Sequence, residues 1–395
     1  LNSDNRVGVS TGLYRQYALE RVIHGHAFHQ AIESELDHMN DCRAFIISGA
    51  RFEGTENHRL LKSRLGRKLA GEYLEMPAHS PLPFILNAVR EARRVRANHL
   101  IAIGGGSVID AAKVIALWLS KGLDLAHELN TLPGIDDVDP SRIPQDGIEW
   151  VRITAVPITL SVAEHTFFAG VTDPSDRVKR IVAHPLMMPK VVIYDPLLTV
   201  EVPLPVFLAS GIKALDHAVE RLAALQSHPM SDATSIQAIR MFGDALPGVL
   251  EAPDDLAKRL QCQLAAWLSI SGSNSGVRVG ASHALGHALG AHANIAHGLT
   301  SCVLLPSVMK WNQPANAERQ RLVNRVMGHP KSDASDSIAS FIRGLGLPTR
   351  LQEVGVKQHD LEAIAKKSLR DPLMRHNPRI VESYRDVLEI LNMAW

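Results

Sequence analysis

In the first half of the chain, short apolar runs alternate with stretches of helical periodicity. Residues 43–49 form an almost unbroken apolar run, 85–92 repeat apolar positions at three and four, and 99–103 are apolar again. Strand, helix, strand at this spacing predicts parallel α/β winding. Two further strands are predicted over 151–156 and 190–194, the second closed by Asp195 and Pro196. Between them, residues 136–146 are acidic and proline-bearing and read as a surface loop. The period then changes. Leu208, Ile212, Leu215, Val219 and Leu222 recur at three and four, and helical patterns continue to the C-terminus. Pro203 and Pro205 mark the break. At 395 residues the chain exceeds the roughly 250 to 300 at which single cores stop growing. The expected architecture is an α/β domain with a parallel sheet over residues 1–205 and an all-α domain over 206–395.

Composition narrows the class. Lys and Arg number 42 against 41 Asp and Glu, and 46% of residues are hydrophobic. No basic excess points to nucleic acid, and the chain carries too much apolar residue for a disordered protein. No run approaches the roughly 18 apolar residues of a membrane span, and residues 1–15 are polar with no apolar signal core. A soluble, cytoplasmic protein is expected. Cys42, Cys262 and Cys302 lie far apart, which gives neither a disulfide framework nor a thiolate zinc site and suits a reducing compartment. Against three Cys stand 19 His, four of them (His283, His287, His292 and His297) within fifteen residues. Chemistry is expected there.

Two motifs carry that chemistry. The strand at 99–103 runs into Gly104, Gly105, Gly106, Ser107 and Asp110, followed by a helical run. A glycine turn between strand and helix lets backbone N–H groups approach a pyrophosphate at the helix N-terminus. Ile109 stands where a third glycine would complete the ordinary dinucleotide fingerprint, so a plain tight turn is the competing reading. Farther on, Lys213 and His217 are four apart on one helix face, with Asp216 about 100° away from His217 and pointing elsewhere. His283 and His287 repeat the four-residue spacing, which suits a metal site or a proton relay as readily as two hydrogen-bonded structural histidines. His292 is the expected bystander.

Together these segments resemble the iron-dependent, or group III, alcohol dehydrogenase superfamily. The resemblance runs through the glycine loop and Lys113, through 157–164, 192–199 and 210–220, and through the segment from His283 to Gly298. It implies a nucleotide-binding α/β domain, a helical domain, and hydride transfer between NADH or NADPH and a carbonyl or alcohol in the cleft. The cofactor residues it implies are Gly104, Gly105, Gly106, Ser107, Asp110, Thr159 and Ser48. In metal-dependent relatives an Asp and a His four apart, then two His fourteen apart, hold the cation. Here both spacings survive in Lys213, His217, His283 and His297, but Lys213 stands at the Asp position.

A protonated Lys offers no acceptor lone pair, so the reading favours a metal-free site with Lys213, His217, His283 and His297 as catalytic residues. Segments 157–164 and 210–220 are similar to the maleylacetate reductase branch, which also lacks the Asp. The expected partner is a small carbonyl substrate, an oxo acid among the candidates, with Lys213 and Arg278 as groups for its carboxylates. No carboxylate stands in 48–51, and Arg51 there is placed to meet a 2′-phosphate; Asp124 is a decoy for the ribose. The resemblance also implies a homodimer. The alternatives are a metal-dependent enzyme using three His, a dehydroquinate synthase-like lyase, and a non-catalytic nucleotide-binding protein.

Overall fold

The computed structural model describes residues 19–123, 128–129, 132–134, 138, 149–173, 178–293 and 295–395. Residues 1–15, Asp124 and all of the 136–146 segment except Val138 lie outside them. The strands are β1 (Arg21–His24), β2 (Ala44–Ser48), β3 (Leu69–Tyr73), β4 (His99–Gly104), β5 (Arg152–Pro157), β6 (Phe168–Asp173), β7 (Val178–Ala183) and β8 (Val191–Tyr194). The helices are α1 (Phe28–Asp37), α2 (Glu56–Leu65), α3 (Leu82–Arg94), α4 (Gly106–Lys121), α5 (Pro196–Val200), α6 (Leu204–Ala223), α7 (Pro229–Glu251), α8 (Leu256–Ser271), α9 (Ala281–Ala293), α10 (His297–Val326), α11 (Ala334–Gly344), α12 (Leu361–Ser368) and α13 (Tyr384–Ala394).

Six strands form one parallel sheet in the order β1-β8-β5-β4-β2-β3. The apolar runs of β2 and β4 are continuous because both faces of the sheet are covered. Phe45, Ile47, Leu100 and Ala102 join the core that includes α3 and α4, while Ala44, Ile46, Ile101 and Ile103 join the core built around α1. Successive side chains thus alternate between two apolar layers, as the pleat requires. The expected α/β half and helical half are both present. The sequence reading did not anticipate β6 and β7, an antiparallel hairpin outside the main sheet.

Register sets up the crevice. Ser48 pairs with Ile103, and Gly104 with Pro157, so the C-terminal ends of β2, β4 and β5 lie side by side. Ligands of open α/β sheets bind outside such ends. In the helical half, α6 is the central element, and every residue over 211–223 is buried. A helix buried all round is normally apolar. Here Lys213, Asp216, His217, Glu220 and Arg221 are buried with it, at a desolvation cost that each must recover through partners.

Candidate active site

The nucleotide cradle begins where β4 meets α4 without an intervening loop. Gly104 ends the strand, Gly105 is the cap, and Gly106 opens the helix. A Cβ on Gly104 would lie 2.7 Å from Val108 Cγ2, and one on Gly106 would lie 2.8 Å from Ser161 Oγ. Side chains are therefore excluded at both places, which leaves the main chain bare at the end of a helix whose first N–H groups have no intrahelical partner. That is the shape a pyrophosphate needs. Thr159 closes over Gly105, where a Cβ would be 3.4 Å from its Oγ1. Ser161 Oγ is buried with no hydrogen-bond partner among the described residues. Val162 holds this loop in a left-handed conformation (φ 60°), strained for a β-branched residue. The Leu160 N–H donates to Ser210 Oγ at 3.2 Å, which ties the loop to α6.

The remaining cofactor candidates divide. Ser107 Oγ accepts from the His79 N–H (2.9 Å) at the mouth of the cradle. Ser48 lies next to the cradle, but its hydroxyl donates to the Ile103 carbonyl (2.7 Å). Asp110 turns away from the glycines. Its carboxylate accepts from Lys113 Nζ (3.0 Å) and from the Gly170 N–H (3.1 Å), pinning the β6–β7 hairpin to α4. Arg51 is exposed on the turn that follows β2.

The second cluster sits where α6, α9 and the start of α10 meet. Asp216 is fully buried, and its Oδ2 accepts from Ser282 Oγ (2.7 Å) and Ser301 Oγ (2.6 Å). It also lies 3.7 Å from His283 Nδ1. The expectation that Asp216 points elsewhere is therefore corrected. On the helical wheel Lys213 lies between Asp216 and His217, so all three face the same junction. Glu220 accepts from the main-chain N–H groups of Gly280 (3.1 Å) and Ser282 (2.9 Å) and is hydrogen-bonded to His283 Nδ1 at 2.7 Å. The rings of His217 and His283 are 4.4 Å apart.

Among the described residues, His217 Nδ1 and His283 Nε2 are buried without hydrogen-bond partners. Lys213 is 5% exposed, and its Nζ lies 4.0 Å from the position a Cβ on Gly286 would take. His297, the fourth predicted catalytic residue, is exposed at the start of α10 and stacks on His287 with ring centroids 5.5 Å apart. His287 in turn is hydrogen-bonded to Asp371 at 2.8 Å. His292 is on the surface, bonded to Asp360. Arg278 lines a small cavity with Glu220 and His376, on a part of α6 two turns past Lys213. A main-chain contact holds the junction together: a Cβ on Gly298 would lie 2.7 Å from the Ala209 carbonyl carbon.

Electrostatics follow from burial. Desolvation first, then Arg221 and Lys213, hold His217 well below the ordinary imidazole range. Desolvation, Lys213 and His217 do the same to His283, so both rings are neutral at pH 7. Burial and then Asp216 push Glu220 up to about 8. Burial also raises Asp216, against the pull of Lys213 and the two serine hydroxyls. Of the two carboxyls, Asp216 has the cation and the hydroxyl donors that favour charge, and Glu220 keeps the proton.

The chain as a whole matches known proteins. Residues 20–196 match the model of the iron-containing alcohol dehydrogenases, and residues 207–395 match the C-terminal model of the Fe-containing alcohol dehydrogenase family. Maleylacetate reductase 1 of Cupriavidus pinatubonensis is 30% identical over 95% of this chain and 94% of its own length. The chain belongs to the iron-containing alcohol dehydrogenase family. It is an NAD(P)-dependent oxidoreductase of the maleylacetate reductase-like branch. The NAD-dependent methanol dehydrogenase of Bacillus methanolicus is 30% identical over 75% of this chain and 76% of its own. The crystal structure of maleylacetate reductase from Agrobacterium tumefaciens superposes with a TM-score of 0.82 at 26% identity, covering 98% of this chain and 99% of that one.

Sequence reasoning missed Asp216, Glu220, His287 with Asp371, and Ser161. A signal for Asp216 existed, since a carboxylate three residues after Lys213 shares its face. The partner of His287 lies 84 residues away and left no local mark.

Proposed function

We propose that this family member reduces a ketone or aldehyde by hydride transfer from NADH or NADPH without a metal, with Lys213 supplying the positive charge that the developing alkoxide requires. The observation that carries the reading is Lys213, buried beside the His217 and His283 rings, with Asp216 already engaged by two serines. The family implies a metal, and this donor set suits one poorly. A protonated Lys213 brings charge and no lone pair. Among the described residues the one buried trio close enough to share an ion is Asp216, Glu220 and His283, and within it Asp216 Oδ2, both Glu220 oxygens and His283 Nδ1 are already bonded to one another or to Ser282, Ser301 and Gly280.

The nucleotide would be held by the Gly104, Gly105 and Gly106 main chain with the hydroxyls of Ser107, Thr159 and Ser161, and when bound it supplies the hydride. Lys213 lowers the energy of the alkoxide through its charge. His217 and His283, neutral at pH 7, hydrogen-bond the oxygen. His297, exposed and stacked on His287, connects the site to solvent and returns the proton. The resemblance to maleylacetate reductases supports an oxo acid among the substrates. It also supports a homodimer, while the scattered cysteines support a cytoplasmic location and the break at Pro203 and Pro205 supports a division near residue 205. Among the described residues no helix is long and apolar enough to cross a membrane.

The test is metal analysis of the purified protein, with turnover of NADH and NADPH across aldehydes and oxo acids before and after chelation. Turnover unchanged by chelator in protein carrying substoichiometric metal is the expected result. Stoichiometric iron or zinc whose removal abolishes turnover overturns the reading, and nucleotide binding with no turnover on any carbonyl favours a non-catalytic protein.

A further inference from the structure

We propose that Asp216 is the positioning residue for Lys213, the buried counter-charge that holds its ammonium in the crevice; this deepens the reading of Lys213 given above and rests on it. Two layers of the α6–α9 interface carry the argument. On α9, Ser282 and Gly286 are four apart and share one face. Ser282 Oγ donates to Asp216 Oδ2, while the place of a Cβ on Gly286 is 4.0 Å from Lys213 Nζ. The Lys213 ammonium and the Asp216 carboxylate therefore occupy successive turns of the same interface, on the same side of α6. From α10, Ser301 Oγ donates to the same Asp216 oxygen, and Thr300 Oγ1 lies 2.9 Å from the place of the same Gly286 Cβ.

Two hydroxyls from two helices fix the carboxylate through Oδ2 alone. Oδ1 is buried with no hydrogen-bond partner among the described residues, so one acceptor face remains for a cation. Lys213 and Asp216 are respectively 5% and 0% exposed, so water screens neither. A buried ammonium without a counter-ion is strongly unfavourable, and removing one member of such a pair costs more than removing both. The other charged or titratable groups at the junction are Arg221, Glu220, His217, His283, His287 and Cys302. Only Glu220 among them can become anionic near neutral pH, and its oxygens are taken by Gly280, Ser282 and His283.

The deciding experiment is a double-mutant cycle in the full-length protein with Asp216→Asn, Lys213→Met and the pair. It is read first by melting temperature, which requires no substrate. Asp216→Asn lowers the melting temperature, and adding Lys213→Met restores most of the loss, because the stranded charge is then gone. Additive shifts overturn the pairing, since an Asp216 that only anchors Ser282 and Ser301 gains nothing from removal of Lys213. Should Asp216→Asn fail to fold, Ser301→Ala removes one donor and gives the same pattern at smaller amplitude; a Ser301→Ala loss that Lys213→Met leaves uncorrected has the same overturning force.

The second reading is NAD(P)H oxidation with propanal and with 2-oxoglutarate as carbonyl probes. Asp216→Asn reduces kcat by about tenfold or more, the scale of coupling between residues in direct interaction, with KM for nucleotide unchanged. Asp216→Glu recovers part of kcat, and Asp216→Asn produces no further loss in the Lys213→Met background. Full turnover in Lys213→Met sinks the catalytic role of Lys213 itself, whereas additive melting shifts with a slow Lys213→Met sink the pairing alone.

Discussion

Glu164 offers a stability test that is independent of any substrate. It is 1% exposed, at the end of the loop that covers the glycines; its Oε1 accepts from Tyr194 Oη at 3.1 Å, and its Oε2 has no hydrogen-bond partner among the described residues. Burial pushes its pKa up to about 7, against the pull of its own main-chain N–H, Tyr194 and Lys113. The unfolded chain releases this proton near 4.5 and the folded chain near 7, so the folded state binds more protons between the two. Stability from this site is therefore complete below pH 4.5 and is lost as pH rises through 7. A shift of that size is worth about 3 kcal/mol in total, of which roughly 2.5 falls between pH 5 and 8.

Glu164→Gln keeps an acceptor for Tyr194 and removes the titration. Unfolding entropy of about 2.1 cal/mol/K per residue converts 2.5 kcal/mol into about 3 °C for a chain of 395 residues that melts as one unit, and more if the halves melt separately. Scanning calorimetry of both proteins at several pH values across that range is the assay. The wild-type melting temperature should drop relative to the variant by that amount as pH rises. A difference that stays constant with pH, or widens in the opposite sense, refutes the assignment of a buried neutral carboxyl.

Other predictions concern the crevice. Lys213→Met should reduce kcat by about a thousandfold, the worth of one charge at ~4 Å in an effective dielectric of about 20, with nucleotide affinity measured by fluorescence titration unchanged. Gly106→Ala drives a methyl into Ser161 and should weaken nucleotide binding by about tenfold or more, the scale of overpacking at a tight contact, again read by titration. Gly286→Ala crowds Thr300 Oγ1 and places a methyl in contact with Lys213 Nζ, and should lower kcat more than it raises KM. Gly298→Ala presses on the Ala209 main chain, which cannot rotate away, and should cost about 2–3 kcal/mol in denaturant unfolding.

The parts of this molecule legible in its sequence were those with local causes. β2 and β4 announced themselves because a strand covered on both faces is apolar at every position, and α6 because its aliphatic residues repeat at three and four. The β6–β7 hairpin carried no such signature. Its Gly170 N–H is held by Asp110, 60 residues earlier in the chain, through a carboxylate that sequence reasoning had given to the cofactor. The Lys213 and His217 pair was readable from its four-residue spacing, and its grouping with His283 was implied by the family resemblance. Asp216 was set aside by comparing it with His217, when the relevant neighbour was Lys213. What made it part of the site, Ser282 and Ser301, comes from two other helices and has no expression in local sequence.

The contact between Gly298 and Ala209 has a mechanical meaning. Where two helices meet through side chains, rotamers can yield and the helices can slide; where main chain meets main chain, the joint is stiff. His297 immediately precedes that joint on α10, and Lys213 follows it by one turn on α6. These two groups are thus carried on a single rigid strut, and opening or closing of the crevice must be taken up elsewhere. The strained turn at Val162 is seated on that strut, with Leu160 and Val162 buried in the core built on α6 and the Leu160 N–H donating to Ser210 Oγ.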